Sequence, residues 1–338
     1  MKLFFILDGL GDTARPSPLK QAQTHYFDKY QQKCNLFKFQ AVLGQVPTSD
    51  EAFASFLDLQ IPKRGVLEAL GDGHNISAGQ TAFKCIFASQ SDNTITNRHP
   101  HISNENGLQL VNEISNIDNI KIIHQNQHRF SIVCDDFTEY ENDPLIDGQK
   151  IKETQDQRLL LIQNKIDNIL QKSSIAIQHK INTVLFRAPG QFQPQLIKNT
   201  KYIFFTDSQV IYGIALSLNC DVFYWHKINF LELLHQYENR TVIFHFDNTD
   251  KASHQGNIAL KIKEIETADK IFGKIMDEVK VEQFCIFGDH ATPCKDKVHS
   301  SDFVPLMISG GSGCLFSDED CLFEKLVCGR EILDKMDV

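Results

Sequence analysis

The stretch Phe284-Cys285-Ile286-Phe287-Gly288-Asp289-His290 decides the fold. Its apolar run is short and closed by a glycine, which reads as a strand buried on both faces. That strand stops on two side chains that ligate metals. The same order recurs at the N-terminus, where Leu3-Phe4-Phe5-Ile6-Leu7 stops on Asp8-Gly9. It recurs again where Thr241–Phe246 runs into Asn248-Thr249-Asp250. In open α/β sheets, sites form in the crevice beyond the carboxyl ends of the strands. Three strand ends therefore deliver Asp8, Asp250, Asp289 and His290 to one rim. His254 follows Asp250 at helical spacing and shares its face if the segment turns into helix.

Outward from these tips, further strands are expected at residues 183–186, 202–205 and 305–309. Helices are expected at 49–59, 208–218, 230–237, 258–278 and 318–335. Thr48-Ser49-Asp50 opens the first of these as a cap sequence. This alternation predicts an α/β fold with a largely parallel central sheet flanked by helices. The middle of the chain differs, being rich in Asn, Gln and Ile, with an alternating segment at 129–133 and a long helical stretch at 151–170. Ligand residues lie on both sides of it. The expected organisation is a core of residues 1–72 and 183–338, with residues 73–182 inserted as a smaller α/β cap.

Composition narrows the function. The chain of 338 residues has a formal net charge of -9 and no broad basic face, which argues against nucleic acid as a partner. The N-terminal apolar run ends at Asp8, too short for a membrane span or a signal segment, and no other stretch approaches membrane length. Nine cysteines without a C-x-x-C pair read as reduced packing residues in a cytoplasmic protein.

Taken singly, the marked residues have ordinary uses. Asp8-Gly9 is a common strand-to-turn sequence, Ser49 is a helix cap, and Asp250 with His254 suits a surface pair. Together Asp8, Ser49, Asp250, His254, Asp289, His290 and His299 supply oxygen and nitrogen donors enough for two divalent metals. Hard carboxylates with imidazoles suit Mn²⁺ first, with Zn²⁺ or Mg²⁺ as alternatives. Two metals about 3.5–4 Å apart clamp the attacking and leaving oxygens of an in-line displacement. A serine at a helix N-terminus can then serve as nucleophile, since helix amides receive phosphate oxygens.

These motifs resemble the alkaline phosphatase superfamily and, more narrowly, the archaeal-type cofactor-independent phosphoglycerate mutases. The resemblance rests on Leu7-Asp8-Gly9-Leu10-Gly11-Asp12, Thr48-Ser49-Asp50, and Arg64-Gly65 with Glu68-Ala69-Leu70-Gly71. It continues through Ala82-Phe83-Lys84, His128-Arg129, Asp143-Pro144 and Arg187. It closes on His245-Phe246-Asp247-Asn248-Thr249-Asp250 through His254, then on Gly288-Asp289-His290-Ala291-Thr292-Pro293 and His299-Ser300. The resemblance implies an alkaline phosphatase-like core. It implies one metal held by Asp8, Ser49, Asp289 and His290, and another held by Asp250, His254 and His299. Ser49 would take the phosphoryl group of a small phosphorylated metabolite, 2- or 3-phosphoglycerate, and return it to the neighbouring hydroxyl without 2,3-bisphosphoglycerate. The cap would present Arg98, Arg129 and Arg187, with Lys84 and Arg64 behind them, because a guanidinium fork grips phosphate and carboxylate bidentately.

Departures from the family pattern touch substrate recognition. Lys84 stands where the pattern has Arg, Asn97-Arg98-His99-Pro100-His101 replaces a more arginine-rich run, and Asp247 occupies the place of a Lys. A phosphomonoesterase or another phosphomutase is therefore the first alternative, since a cap with fewer arginines admits water. A sulfatase lacks its Cys-x-Pro-x-Arg nucleophile context here. A non-catalytic metal-binding relic is opposed by the intact donor set.

Overall fold

The computed structural model describes residues 1–135, 140–153 and 156–338. The chain divides into two compact units. One comprises Met1–Ile61, Ile197–Ala215 and Asn219–Val338, and the other Pro62–Leu196 with Leu216–Leu218. In chain order the strands are β1 (Lys2–Leu7), β2 (Cys34–Gln40), β3 (Thr81–Ser91), β4 (Thr94–Asn97), β5 (Ile120–Asn126), β6 (Arg129–Cys134) and β7 (Thr183–Gln191). They continue as β8 (Tyr202–Thr206), β9 (Asp221–Phe223), β10 (Thr241–Phe246), β11 (Gln283–Phe287), β12 (Val304–Ser309) and β13 (Leu326–Cys328).

The first unit is built on an eight-stranded sheet in the order β13-β2-β12-β11-β1-β10-β8-β9. Its centre is parallel: β1 lies between β10 and β11, and β8 and β9 extend the parallel set. Only β12 runs antiparallel to its neighbours β11 and β2. A central parallel strand is buried on both faces and so needs a continuous apolar run. Leu3 through Leu7 are all 0% exposed, which is why that run could be read directly.

The abundant phenylalanines fill both faces of this sheet. On one, Phe5 stacks on Phe244 at 5.3 Å and meets Phe272 edge-on at 5.4 Å. On the other, Phe39 and Phe56 each reach Phe287 at 5.3 Å. Such pairs add about 0.5–1.5 kcal/mol each beyond area burial. The helix Ile258–Glu278 covers the first face through Ile265, Ala268, Phe272 and Ile275, which recur at helical spacing. Its buried Asp269 accepts the amides of Tyr26 (3.0 Å) and Phe27 (2.7 Å), satisfying the open amides of the helix His25–Gln31.

Two helix readings require correction. The segment 318–335 is not one helix: Asp318–Cys321 and Glu331–Lys335 are short helices flanking β13, which pairs parallel with β2. Leu326-Val327-Cys328 fits helical spacing equally well, but it completes the sheet edge instead, and Gly329 at φ 45° turns the chain away. The stretch 151–170 becomes helical only at Gln157–Leu170, because Asp156 caps the amides of Arg158 and Leu159.

The second unit carries a five-stranded antiparallel sheet in the order β4-β3-β6-β5, with β7 paired to the other side of β3. Residues 183–191 therefore join this unit, as does the helix Arg64–Gly71, which packs Val66, Ala69 and Leu70 against Ala82 and Val133. On the opposite face the helices Asn104–Ile114 and Gln157–Leu170 set Leu110, Ile114, Ile162 and Ile166 on Phe83, Phe87 and Phe130. Among the described residues no helix is long and apolar enough to cross a membrane.

Candidate active site

The strand tips of the first unit converge. Asp8 follows β1, Asp250 sits in the helix Asn248–His254 that follows β10, and Asp289-His290 follow β11. The turn at Gly9 has φ 61°, and a β-carbon there would lie 2.5 Å from Asp250 Oδ1, so only glycine lets the chain after Asp8 pass this close to Asp250. The Gly9 and His290 amides both donate to Asp289 Oδ1, at 3.1 and 3.0 Å, fixing that carboxylate between the two tips.

Ser49 is the first residue of the helix Ser49–Phe56. Thr48 and Glu51 lock its start, with the Thr48 amide donating to Glu51 Oε2 at 2.8 Å. This places Ser49 Oγ 3.3 Å from His290 Nε2. The sequence-predicted hydroxyl thus lies against the Asp–His cluster.

The donor atoms fall into two groups, each spanning no more than 4.8 Å: Asp250, His290 and His299, and Asp8, His245 and Asp289. His254 adjoins the first, its Nε2 3.1 Å from Asp250 Oδ2, and its ring lies 5.3 Å from that of His299. His290 links the groups, since its Nε2 is 3.2 Å from Asp8 Oδ1. Each imidazole is anchored by its other nitrogen. His254 Nδ1 meets the Lys297 carbonyl at 2.8 Å, and His299 Nδ1 meets the Pro47 carbonyl at 2.9 Å. His290 Nδ1 meets Thr292 Oγ1 at 3.1 Å, and His245 Nδ1 meets Thr206 Oγ1 at 3.1 Å. A carbonyl partner keeps Nδ1 protonated and leaves Nε2 as a lone-pair donor facing the site, the arrangement of metal-ligating histidines.

His245 is the residue that sequence reasoning missed. It is 0% exposed, is paired in register with Ile6 of β1, and sets Nε2 3.4 Å from Asp8 Oδ2. A histidine inside an otherwise apolar strand, just ahead of the Asp250 segment, is the available signal.

The electrostatics call for a cation. Asp8 Oδ1, His245 Nε2 and Asp289 Oδ2 are buried with no hydrogen-bond partner among the described residues, a costly arrangement unless something else satisfies them. Burial and then the Asp8 charge push the Asp289 carboxyl up. Burial also acts to raise Asp8, but His245 and His290 outweigh it and hold Asp8 well below the usual carboxylate range. Burial alone would lower His290, yet Asp289 and Asp8 bring it up to about 9. Carboxylates and Nε2 lone pairs in this arrangement fit a hard or borderline divalent cation.

Beside the site Asp247 is buried, and Lys251 Nζ lies 2.9 Å from its Oδ1. The acid in place of the family's lysine is thus neutralised from one turn further along.

The predicted substrate cations all sit in the second unit. Asp143, 0% exposed, takes Arg98 bidentately at 2.9 and 2.7 Å and Arg187 Nε at 2.9 Å. Buried Glu68 takes Arg64 Nε at 2.8 Å and Lys84 Nζ at 2.6 Å. Burial opposes ionisation of Glu68, but Lys84 and Arg64 bring it down to about 2. Arg129 opens β6 and is exposed.

Comparison with known proteins agrees with these features. The Metalloenzyme superfamily profile matches residues 2–321. A 2,3-bisphosphoglycerate-independent phosphoglycerate mutase of Pyrococcus abyssi is 30% identical over 366 residues, covering 91% of this chain and 88% of that protein. The Thermococcus kodakarensis protein of the same name is 29% identical over 367 residues, with the same two coverages, 91% and 88%. A Pyrococcus horikoshii structure superposes with a TM-score of 0.80 at 26% identity, over 99% of this chain and 97% of that one. The cofactor-independent phosphoglycerate mutase of Thermoplasma acidophilum, at 19% identity and a TM-score of 0.63 over 99% and 98% of the two chains, shares the fold. The chain belongs to the Metalloenzyme superfamily and, within it, to the archaeal-type family of 2,3-bisphosphoglycerate-independent phosphoglycerate mutases.

Proposed function

We propose that this protein interconverts 2-phosphoglycerate and 3-phosphoglycerate through a phosphoserine at Ser49, with divalent metal and without 2,3-bisphosphoglycerate. The observation that carries this reading is the 3.3 Å approach of Ser49 Oγ to His290 Nε2, at a rim where unpaired carboxylate and imidazole atoms gather. In this proposal Asp8, Ser49, Asp289 and His290 hold one metal, with His245 orienting Asp8. Asp250, His254 and His299 hold the other. Bound metals, Mn²⁺ by preference, supply Lewis acidity that lowers the serine pKa and stabilises charge on the phosphoryl oxygens.

The chain's own residues do the rest. Ser49 Oγ gives up its proton and forms a bond to phosphorus as the bond from phosphorus to the substrate ester oxygen breaks, and the leaving oxygen takes up a proton in exchange for the one the serine lost. The glycerate stays bound and its neighbouring hydroxyl then attacks the phosphoserine, releasing Ser49 and completing the exchange. Arg129 and Arg187 are proposed to bind the substrate's phosphate and carboxylate, with Arg98, whose three nitrogens are taken by Asp143 and the Leu145 carbonyl, holding Asp143 behind them. Lys84 and Arg64 are proposed to back them through Glu68. The cysteines are all free, in keeping with a reducing cytoplasm.

A phosphomonoesterase draws on one observation: Asp143 and Glu68 already engage four of the five predicted cations. An enolase-coupled assay on 3-phosphoglycerate with Mn²⁺, run beside a phosphate-release assay, separates the two. Isomerisation without phosphate release is expected; release alone would replace the mutase reading with the hydrolase.

A further inference from the structure

Away from the strand tips, the second unit contains a cavity of about 390 Å³ whose lining includes Gln90, Asn93, Asn142, Gln163, Asp167 and Thr183. Its wall is an ordered relay of hydrogen bonds. The Phe186 amide donates to Asn142 Oδ1 at 2.7 Å, and Asn142 Nδ2 donates to Gln163 Oε1 at 3.0 Å. Gln163 Nε2 then donates to Asp167 Oδ1 at 2.8 Å and to Thr183 Oγ1 at 3.0 Å. Asn142 and Thr183 are 6% and 1% exposed and anchor the relay in the packed interior, while Gln163 and Asp167 are half-buried and face the cavity.

Among the described residues, the relay ends on a carboxylate served only by neutral donors. Burial pushes Asp167 up to about 6, and only hydrogen bonds from Gln163 and Thr183 oppose that shift. Lys152, which also lines the cavity, places Nζ 3.0 Å from Glu141 Oε1. An anionic ligand would meet Asp167 without an uncommitted cation to offset it. Glu153 adds a second carboxylate to the lining, but a divalent metal needs several oxygens gathered on one point, and among the described residues no such group of three ligating side chains lies at this cavity. An apolar ligand would cover the Asp167 carboxylate without offering it a donor or a counter-charge. What the wall lacks is a positive charge small enough to enter and able to donate.

We propose that this cavity binds a small organic cation, a primary ammonium group on a short polar or aliphatic chain, with the Asp167 carboxylate as its counter-ion. Charge-assisted hydrogen bonds of this kind are about twice as strong as neutral ones. The site is independent of the phosphoryl-transfer reading.

Isothermal titration of the full chain with putrescine, beside butanediol as the matched chain without ammonium groups, tests the proposal. Saturable putrescine binding is expected, with butanediol at least about tenfold weaker. Asp167→Asn, which preserves an oxygen for Gln163 Nε2, is expected to lower putrescine affinity by a similar factor. Absence of saturable putrescine binding to the wild type, equal binding of butanediol, or undiminished binding by Asp167→Asn would each overturn it. The comparison of two ligands on the wild type needs no variant, so misfolding of the variant cannot shelter the claim.

Discussion

Lys261 offers the sharpest test of how the strand tips are held. It is 0% exposed, on the helix Ile258–Glu278, and donates to the Gly11 carbonyl (3.2 Å), Asp12 Oδ2 (3.1 Å) and the Thr292 carbonyl (3.0 Å). Gly11-Asp12 follows Asp8, and Thr292 follows His290, so one ammonium ties the two loops that carry the site. A cation in the first turn of a helix opposes the helix dipole, so these three bonds must outweigh that cost. Lys261→Met keeps the length of the side chain and removes the charge. Breaking a buried pair costs about 3–5 kcal/mol. Asp12 keeps the amides of Ala14 and Cys294, each at 3.0 Å, so the lower end, about 3 kcal/mol, is expected. Urea denaturation at neutral pH reads this directly. The pH dependence has a fixed sign. Burial acts to raise the Asp12 carboxyl, but Lys261 and the loop amides leave it lowered. Its contribution is therefore present above the ordinary carboxylate range and lost as pH falls through the folded value. The gap between wild type and variant should narrow on acidification. A loss below about 1 kcal/mol, or a gap that widens in acid, would refute the clamp.

Further outcomes follow from the same geometry. Ser49→Ala should abolish isomerisation while retaining metal binding in part, measured by Mn²⁺ titration beside the coupled assay; full turnover in the variant would exclude the phosphoserine route. His254→Ala and Asp289→Ala should lose metal and activity together, and a chelator should do the same to the wild type. An enzyme that runs at full rate in excess chelator would contradict the metal assignment. Asp72, pushed up to about 7 by burial against its hydrogen bonds from Ser131 and Gln125, binds its proton more tightly when folded. Its contribution is complete below the ordinary carboxylate range and is lost as pH rises through about 7. Asp72→Asn should therefore flatten the decline in melting temperature between mildly acidic and mildly alkaline pH; an unchanged slope would show that the proton sits elsewhere.

The legible parts of this protein were those where one physical demand dominated. β1, β10 and β11 are buried on both faces, so their sequences had to be continuous apolar runs, and the polar residues that end them stood out. Asp8, Asp250, Asp289 and His290 stand out in the sequence for that reason. His245 was passed over because it lies within such a run and shows its role only through the register that sets it beside Asp8. β2 pairs β12 and β13 but mixes Asn35 and Lys38 with apolar residues, so no periodicity announced it. The segment after Asp318 differs from the expected helix because Leu326-Val327-Cys328 fits a helix and a strand alike, and only the open edge of β2 decides between them. The partners of Arg98 and Arg187 could not be read at all, since Asp143 reaches both through tertiary packing. What looked like five free phosphate-binding cations is, for four of them, charge already engaged by two buried acids.

The central claim is that the Ser49 hydroxyl carries the phosphoryl group. Acid quenching of the Mn²⁺-loaded enzyme during turnover of 3-phosphoglycerate, followed by peptide mass spectrometry, observes this step itself. Phosphate on the Ser49 peptide, absent without substrate and absent in Ser49→Ala, is the predicted result. An unmodified Ser49 peptide from enzyme trapped at steady state with full isomerase activity would contradict it.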